Sequence, residues 1–401
     1  MSKTVKVINE ADSDVSDLDQ QQLGQAMVVD KWAPQLGYCE DPETPLTADT
    51  FPSKSGGKPA WLNPEHILDV DKARCGVCEQ PLALLVQLYT PEDQPEEAFH
   101  RTVYVFCCKD GACLKADWKK CFKVYRSQLP RDNPYYPPTQ DDESDNDDVA
   151  IDFTPKKFTP PPQCVICGLS APKTCGRCHT PHYCSRQHQM VDWNMCRHKE
   201  FCNKDMSKDE METVERLRRG RIFAEKEIVN EPEGLGQDGK EEEAQKAHAQ
   251  EQQASESNAL ALRGDEAYEN SKVDVDEAFL KFHIRIGLYP DQVIRYERVE
   301  YNMPDREPLW VQEGQKPSVI PDCERCGGPR TFEFQILSTL LNFLGISHIA
   351  VDSLDWGSLY IYTCKRNCPV GSDIFAEEYL WKQDFSADGM NLAGPRPDDD
   401  D

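Results

Sequence analysis

Paired cysteines are the feature that most constrains the fold of this 401-residue chain. Eight of its 18 Cys form four Cys-x2-Cys pairs, and 9 His are also present. Residues 1–20 are acidic and contain no apolar segment of the secretory type, so we expect the thiols to lie in a reducing compartment. Structural disulfides are rare there. The cysteine content therefore indicates bound metal, with zinc (Zn2+) as the first candidate.

Residues 164–202 hold four pairs of potential zinc ligands within 39 residues. A two-residue spacer lets the backbone form a knuckle that brings two sulfurs to one ion, and a three-residue spacer places two ligands on one face of a helical turn. Four pairs predict two tetrahedral sites. The most economical arrangement is cross-braced, and ligation by neighbouring pairs is the alternative. In the cross-braced arrangement one site comprises Cys164, Cys167, Cys184 and His188, and the other comprises Cys175, Cys178, His198 and Cys202.

Three further residues of this middle block, His179, His182 and Cys196, fall outside the ligand pattern, and we expect them to be surface or packing residues. Lys and Arg outnumber Asp and Glu in the block, so it is locally basic. Such a surface suits an acidic or proline-rich peptide, including the chain's own residues 160–162. A solvated face without a ligand is the simpler interpretation.

Two further sets of four cysteines flank the middle block and follow a common order. Each set begins with Cys-x2-Cys-x2-Pro, continues with a run rich in Val, Ile, Tyr and Phe, and ends with a second cysteine pair. These runs predict strands, so each copy is predicted to be a β-unit with a zinc knuckle. Packing of the thiols as small hydrophobic groups is the alternative. The strand register favours Cys108 over Cys107, and the predicted ligands are Cys75, Cys78, Cys108 and Cys113 in the first copy and Cys323, Cys326, Cys364 and Cys368 in the second.

Composition divides the chain into folded blocks and linkers. Only 38% of residues are hydrophobic, which is too few for one large core, so we expect folded blocks to alternate with disordered segments. The predicted fold class is α+β and zinc-stabilised, with the two outer copies packed into one split β-rich module. The middle block is an insertion expected to move on its linkers. The folded blocks are 31–136, 164–202 and 273–385, the linkers are 137–163 and 203–272, and the acidic tails are 1–30 and 386–401.

The net charge of -26 restricts the possible partners. A phosphate backbone would repel most of this surface, so direct binding of nucleic acid is not expected and a basic protein partner is favoured. The longest apolar runs, such as residues 82–88, are far shorter than the ~20 residues that span a bilayer, so we expect no membrane segment. We also expect a monomer that is both cytoplasmic and nuclear.

No catalytic motif is visible in the sequence. The Cys75 to Cys78 pair has the spacing of a thiol oxidoreductase, but Pro81 and a strand-like run follow it where that motif needs a helix. The chain contains no GxGxxG, GxxxxGK, GxSxG or HExxH motif. We therefore expect a binding protein and not an enzyme.

Family resemblance extends these inferences. The step Tyr183-Cys184, Gln189 and Asp192-Trp193 complete a pattern that resembles the MYND finger, although His188 stands where many such fingers carry Cys. Six segments outside the finger resemble the programmed cell death protein 2 family: residues 51–62, 128–133, 290–296, 332–335, 355–357 and 381–384.

That resemblance implies a dedicated chaperone. Its client would be a newly made, basic small-subunit ribosomal protein, the eukaryotic counterpart of bacterial S-five, which it would deliver to nascent 40S particles. The family segment at 56–61 has two interpretations, a tight turn with a core Trp or a client-contacting loop. The alternative function is a nuclear adaptor whose MYND finger recruits proline-rich peptides of transcriptional regulators.

Overall fold

The largest element of the structure is a closed barrel of ten strands, in which every neighbouring pair is antiparallel. The expected tails, 1–30 and 386–401, lie outside the described residues, as do residues 138–152 of the first expected linker and the second one from residue 235 onward. The computed structural model describes residues 33–137, 153–234, 276–298, 307–347 and 350–385.

The strand-forming runs rich in Val, Ile, Leu, Tyr and Phe supply most of the barrel. The first block contributes β1 (Gln35–Glu40), β2 (Lys54–Ser55), β3 (Ala83–Tyr89), β4 (His100–Cys107) and β5 (Phe122–Leu129). The second block contributes β9 (Ile294–Tyr296), β10 (Arg330–Leu337), β11 (Ser358–Cys364) and β12 (Ala376–Gln383). The tenth strand is β8 (Lys226–Pro232), and the order around the barrel is β1-β8-β2-β3-β4-β5-β12-β11-β10-β9.

The remaining elements lie outside the barrel wall. The finger contains a two-stranded sheet, β6 (Lys173–Thr174) with β7 (His182–Tyr183), followed by α2 (Arg186–Met195) and α3 (His198–Phe201). The other helices are α1 (Gly111–Asp117), α4 (Lys208–Arg219) and α5 (Glu277–Leu288).

The two outer blocks share one sheet. Strand β5 of the first block pairs with β12 of the second, with Arg126 opposite Ala376. On the other side β1 pairs with β9, with Gly37 opposite Ile294, and this pairing closes the barrel. One continuous apolar core contains side chains from both blocks, so neither block buries its apolar face alone. The expectation that the hydrophobic content is too low for one large core is therefore wrong, because segments distant in the chain pool their apolar residues.

Buried ion pairs also cross between the blocks. Arg101 on β4 and Glu333 on β10 are both fully buried, and Arg101 Nη2 donates to Glu333 Oε2 over 2.7 Å. Although burial opposes ionisation of the carboxyl, the charges of Arg101 and Arg298 lower the pKa of Glu333 to about 2. A second buried pair joins Arg126 on β5 to Glu378 on β12 over 2.7 Å. Each charge has a partner, which offsets the cost of removing it from water.

The interpretation of residues 203–272 as a linker without a packed core is wrong for its first part. Strand β8 is one of the strands that form the barrel wall, and it pairs with β1 on one side and β2 on the other. The side chains of Val214, Ile222, Phe223 and Ile228 are buried. Charged residues are so frequent in this segment that its composition did not reveal the few apolar positions. Those positions are sufficient to form a strand once both strand edges are paired. The sequence did carry one signal, because Ser207 and Glu210 form a capping box at the start of α4.

The expectation that the finger moves freely on its linkers is also wrong. Trp61 Nε1 donates to the Gly168 carbonyl over 3.0 Å, and Ser170 N–H donates to the Leu68 carbonyl over 3.0 Å. Ile166, Leu169 and Ala171 of the finger belong to the same apolar core as the barrel. A block of this size buries few apolar groups by itself, so docking on the barrel supplies the missing contacts.

The helices in the part of the chain that the structure describes are too short or too polar to cross a membrane.

Candidate metal centres

The structure brings the eight predicted ligands of the finger together in the cross-braced arrangement. The ligand atoms within each group of four lie within 4.8 Å of one another. In the first group Cys167 Sγ is 3.6 Å from Cys184 Sγ, and Cys164 Sγ is 3.5 Å from His188 Nδ1. In the second group Cys175 Sγ is 3.9 Å from Cys202 Sγ, and Cys178 Sγ is 3.5 Å from His198 Nε2. Ligation by neighbouring pairs, the alternative, is not the arrangement found.

The two outer groups also assemble as predicted ligand sets. The first contains Cys75, Cys78, Cys108 and Cys113, and the second contains Cys323, Cys326, Cys364 and Cys368, again with all sulfurs of one group within 4.8 Å. We call them the first-block cluster and the second-block cluster. Cys107 is buried beside the first-block cluster and donates to the Cys108 carbonyl over 3.1 Å, so Cys108 faces the other thiols.

All four Cys-x2-Cys pairs adopt the same local backbone. In each, the N–H of the residue four positions after the first Cys donates to that Cys carbonyl over 2.8 to 2.9 Å. This residue has a positive φ in every case. Gly accepts that conformation without strain, and the turn is tight enough to direct two sulfurs toward one point. The four residues are Glu79 (φ 58), Gly168 (φ 77), His179 (φ 56) and Gly327 (φ 63).

Backbone N–H groups inside the knuckles stabilise thiolates. Val77 N–H donates to Cys75 Sγ over 3.4 Å, and Gly328 N–H donates to Cys326 Sγ over 3.4 Å. Although burial opposes it, hydrogen bonds from the N–H groups of Cys178 and Arg177 and from His198 lower the pKa of Cys175 to about 6. Burial raises the pKa of Cys167 in the first finger group, so the thiolate, the form that binds metal, is favoured at Cys175 in particular. With four such donor sets, sulfur-rich and of tetrahedral size, the residues fit zinc as the bound group.

Helix α2 positions the third pair of finger ligands. Ser185 caps the helix by accepting from His188 N–H over 3.2 Å, which places His188 one turn after Cys184. The Asp192 side chain, fully buried, accepts from Tyr183 Oη over 2.7 Å and from Arg218 Nε over 2.8 Å. Arg218 lies on α4, so this MYND-pattern Asp joins the finger to the helix that leads into β8.

The segment 56–61 forms a tight turn with a core Trp. Gly56 has φ 59, and a Cβ added there would lie 2.0 Å from the Ala224 carbonyl oxygen, so only Gly fits. Trp61 is 3% exposed and holds the finger through its indole N–H. Local packing therefore accounts for Gly56 and Trp61 without a client.

Sequence reasoning missed one sulfur near a metal centre. Cys121 is fully buried, and its Sγ lies 3.9 Å from Cys75 Sγ. Seven residues separate it from Cys113, a spacing that matches no ligand pair, so only the folded chain reveals it. Cys196 is buried in the core, in agreement with its interpretation as a packing residue, and Cys39 Sγ lies 3.8 Å from Ser55 Oγ.

Together these features define a zinc protein in which a strand-rich barrel carries a docked MYND finger. Comparison with known families gives the same division of the chain. The family descriptions "Programmed cell death protein 2, N-terminal domain", "MYND finger" and "Programmed cell death protein 2, C-terminal putative domain" match residues 33–143, 164–202 and 276–384. The resemblance predicted from sequence is thereby confirmed.

The chain belongs to the programmed cell death protein 2 family. It is 35% identical to Programmed cell death protein 2 of Rattus norvegicus over 360 residues, 88% of this chain and 96% of that protein. It is 26% identical to Programmed cell death protein 2-like of Homo sapiens over 354 residues, 79% of this chain and 85% of that protein. A more distant relative, "Probable 20S rRNA accumulation protein 4" of Schizosaccharomyces pombe (strain 972), is 30% identical over 126 residues, 29% of this chain and 30% of that protein. No solved structure matches the chain.

Proposed function

We propose that this protein is a dedicated chaperone for a newly synthesised basic small-subunit ribosomal protein, the counterpart of bacterial S-five. It would support delivery of this client to nascent 40S subunits, as a monomer acting in the cytoplasm and the nucleus. Membership of the programmed cell death protein 2 family supports the proposal. So does the distant Schizosaccharomyces pombe relative, whose name concerns accumulation of 20S rRNA.

Unbalanced acidic charge is the observation that carries the proposal. The chain has a net charge of -26, and most of this excess lies in segments outside the described residues, such as the acidic run 141–148. One acidic pair lies on the barrel wall. Glu40 on β1 lies directly opposite Glu227 on β8, and among the described residues neither carboxylate has an ion-pair partner. Like charges directly opposite each other destabilise a sheet. A bound Lys- or Arg-rich segment would remove this repulsion.

The architecture suits a binding role without catalysis. The barrel is closed, buried ion pairs link its strands, and the zinc clusters stabilise the connections between strands. A rigid framework loses little conformational entropy on binding, and the acidic charge of the whole chain attracts a basic client at long range. Before it meets rRNA, a basic ribosomal protein is prone to wrong electrostatic contacts, which such a surface would screen.

Binding kinetics with a purified basic ribosomal client test the proposal. We expect the association rate to fall as salt rises through the physiological range, where the Debye length is about 8 Å, while dissociation changes less. The double variant Glu40→Gln/Glu227→Gln should associate more slowly than wild type. The matched control is Glu96→Gln/Glu97→Gln, which removes the same charge from another exposed position. Equal effects of both pairs, or no dependence on salt, would contradict electrostatic capture at this face.

The alternative, a nuclear adaptor for proline-rich peptides, is favoured by one feature beside the finger. A groove of about 670 Å3 is lined by Trp61, Phe158, Pro160, Ile222 and Phe223. Aromatic-lined grooves are typical sites for polyproline segments. The chain's own Pro160 lies at this groove, and the Pro162 carbonyl accepts from Ala171 N–H of the finger over 3.0 Å.

One purification separates the two functions. If the tagged full chain retains one basic ribosomal protein, the chaperone proposal is supported; if a set of transcriptional corepressors dominates, the adaptor is the better function. Phe158→Ala adds a second criterion, because this half-buried side chain lines the groove, whereas Glu40 and Glu227 do not. The adaptor predicts loss of its partners in this variant, whereas the chaperone predicts unchanged client binding.

A further inference from the structure

Five thiols lie in or next to the first-block cluster, whereas a tetrahedral ion requires four. Four of them, Cys75, Cys78, Cys108 and Cys113, lie within 4.8 Å of one another. The fifth, Cys121, contacts Cys75 at a sulfur separation of 3.9 Å. Two ligands of a zinc ion with bonds of about 2.3 Å lie about 3.8 Å apart, so Cys121 stands one tetrahedral edge from Cys75.

The backbone holds Cys121 as firmly as the predicted ligands. Its carbonyl accepts from Cys108 N–H over 2.9 Å, and the carbonyl of Lys120 accepts from Gly76 N–H over 2.8 Å. Cys121 is therefore hydrogen-bonded to the ligand Cys108, and its neighbour Lys120 is hydrogen-bonded to the Cys75–Cys78 knuckle. Its place is fixed by the same hydrogen bonds that shape the cluster and does not depend on a flexible loop.

Cys113 and Cys121 each have a local acceptor for a thiol proton. Cys113 Sγ lies 3.6 Å from Asp110 Oδ2, and Cys121 Sγ lies 3.3 Å from the Asp117 carbonyl oxygen. Either residue can therefore leave the metal as a neutral thiol and remain hydrogen-bonded. Cys113 sits in the first turn of α1 and Cys121 follows its end, so both approach the ion from the same segment.

We propose that Cys113 and Cys121 share the fourth coordination position of the first-block zinc site. When Cys121 binds, it loses its thiol proton, and Cys113 takes up a proton as it leaves, so charge and protons balance. The zinc stays bound throughout by Cys75, Cys78 and Cys108. This inference concerns the metal site alone and stands whether or not the proposed client is correct.

The exchange would release α1 from the metal without loss of zinc. Helix α1 also contacts the second block, where Lys115 pairs with Asp352 over 3.4 Å. A Cβ added to Gly111 would lie 2.3 Å from the Ser353 carbonyl oxygen, so the two segments are closely packed. A ligand exchange at this position therefore changes how tightly α1 is held between the metal and the second block.

The second-block cluster provides the contrast. Of the cysteines outside the four groups, Cys107 and Cys121 lie by the first-block cluster, Cys39 contacts Ser55, and Cys196 packs in the core. No further cysteine remains as a replacement ligand for the group of Cys323, Cys326, Cys364 and Cys368. A missing ligand can thus be replaced in one outer cluster and not in the other.

Zinc content of the purified full chain tests the proposal. With four ions in wild type, one per group, we expect Cys113→Ser and Cys121→Ser each to retain all four and the double variant to lose one. Cys107→Ser is the matched control, because it removes another buried thiol beside the same cluster. If Cys113→Ser alone loses one zinc while it stays folded, or if the double variant keeps all of them, the proposal is wrong.

Metal exchange provides a second test that needs no change at Cys113. A fifth thiol offers an entering ligand, so one zinc ion should exchange with isotopically labelled zinc several-fold faster in wild type than in Cys121→Ser. Cys107→Ser should behave as wild type. Equal exchange in wild type and Cys121→Ser would overturn the proposal even if the Cys113 variant failed to fold.

Discussion

The two outer zinc clusters share one knuckle geometry but have opposite surroundings. Beside the first-block cluster lie two further buried thiols, Cys107 and Cys121, which carry no charge as thiols. Beside the second-block cluster lies the buried guanidinium of Arg126, which donates to Cys368 Sγ over 3.6 Å and to the Cys368 carbonyl over 3.1 Å. Four thiolates on one Zn2+ leave a net charge of -2 by simple addition. One cluster thus has further thiols beside it, and the other has a compensating positive charge.

The comparison shows that knuckles with the same spacing and the same backbone can have different surroundings, because residues from distant parts of the chain supply those surroundings. Arg126 belongs to β5 of the first block, yet it supports a metal ligand of the second block. Its carboxylate partner, Glu378, also accepts from Cys364 N–H over 3.0 Å. The second-block cluster therefore depends on the strand pairing that joins the blocks, whereas the first-block cluster is completed by its own chain segment.

The largest expected effect comes from removing one ligand of the second-block cluster. Cys364→Ser leaves three thiolates and no fifth sulfur, so we expect loss of that zinc and of the folded barrel. A structural zinc contributes roughly 10 kcal/mol or more in small fingers, which is comparable with the about 5–15 kcal/mol that stabilises a whole domain. Zinc content and circular dichroism provide the measurements. Cys39→Ser, a thiol outside every cluster, is the control, and retention of all zinc by Cys364→Ser would break the comparison.

The next effect concerns the buried pair that links the blocks. Arg126→Met removes one guanidinium from Glu378 and leaves the buried Arg330, 3.1 Å away, as its remaining ion-pair partner. We therefore expect a loss of about 3 kcal/mol in unfolding free energy, the low end of the range for a broken buried pair. Lys123→Met is the matched control on the same strand pair, because its partner Glu377 and the lysine itself are partly exposed, and about 0–1 kcal/mol is expected there. Urea unfolding of both variants gives the result. Similar losses for the two would mean that burial of the pair is not decisive.

Finger docking should affect the first-block cluster more than the second. Cys78 and Cys108 line a cleft of about 390 Å3 together with the finger ligands Cys167 and His188. Leu169→Ala removes a fully buried finger side chain from the shared core, and we expect it to lower the free energy of unfolding by about 2–5 kcal/mol. Val319→Ala, at an exposed position of the second block, is the control. A cost near zero for Leu169→Ala would show that the finger contributes little to the barrel.

The smallest effect is kinetic and follows from the surroundings of the two clusters. With an entering thiol beside one site and a charge-compensating Arg126 beside the other, a chelator should remove zinc from the first-block cluster before the second. The order can be read by mass spectrometry of cysteine-labelled peptides at increasing times. Arg126→Met should bring the rates at which the two clusters lose zinc to the chelator closer together. If the second-block cluster loses its zinc first in wild type, the contrast drawn from Arg126 and Cys121 is wrong.

The sequence by itself determined the metal chemistry. A Cys-x2-Cys knuckle is closed by hydrogen bonds within six residues, so its spacing was sufficient to identify the ligands. For the finger, the spacing favoured the cross-braced order over ligation by neighbouring pairs, and the structure decided between them. Likewise the apolar runs at 83–89 and 330–337 predicted strands because alternation along a strand is a local property. The family resemblance added the expectation of a chaperone.

Only the tertiary structure decided how these parts assemble. Strand β8 carries four charged or polar side chains among its seven residues and becomes a strand because β1 and β2 pair with both of its edges, at positions far away in the chain. The finger is fixed because Trp61 and Leu68 meet Gly168 and Ser170 more than a hundred residues further on. Cys121 stands beside a metal ligand 46 positions earlier, with no spacing to reveal it. Long-range contacts of this kind depend on the folded chain because no local periodicity or ligand spacing encodes which distant segments will pair.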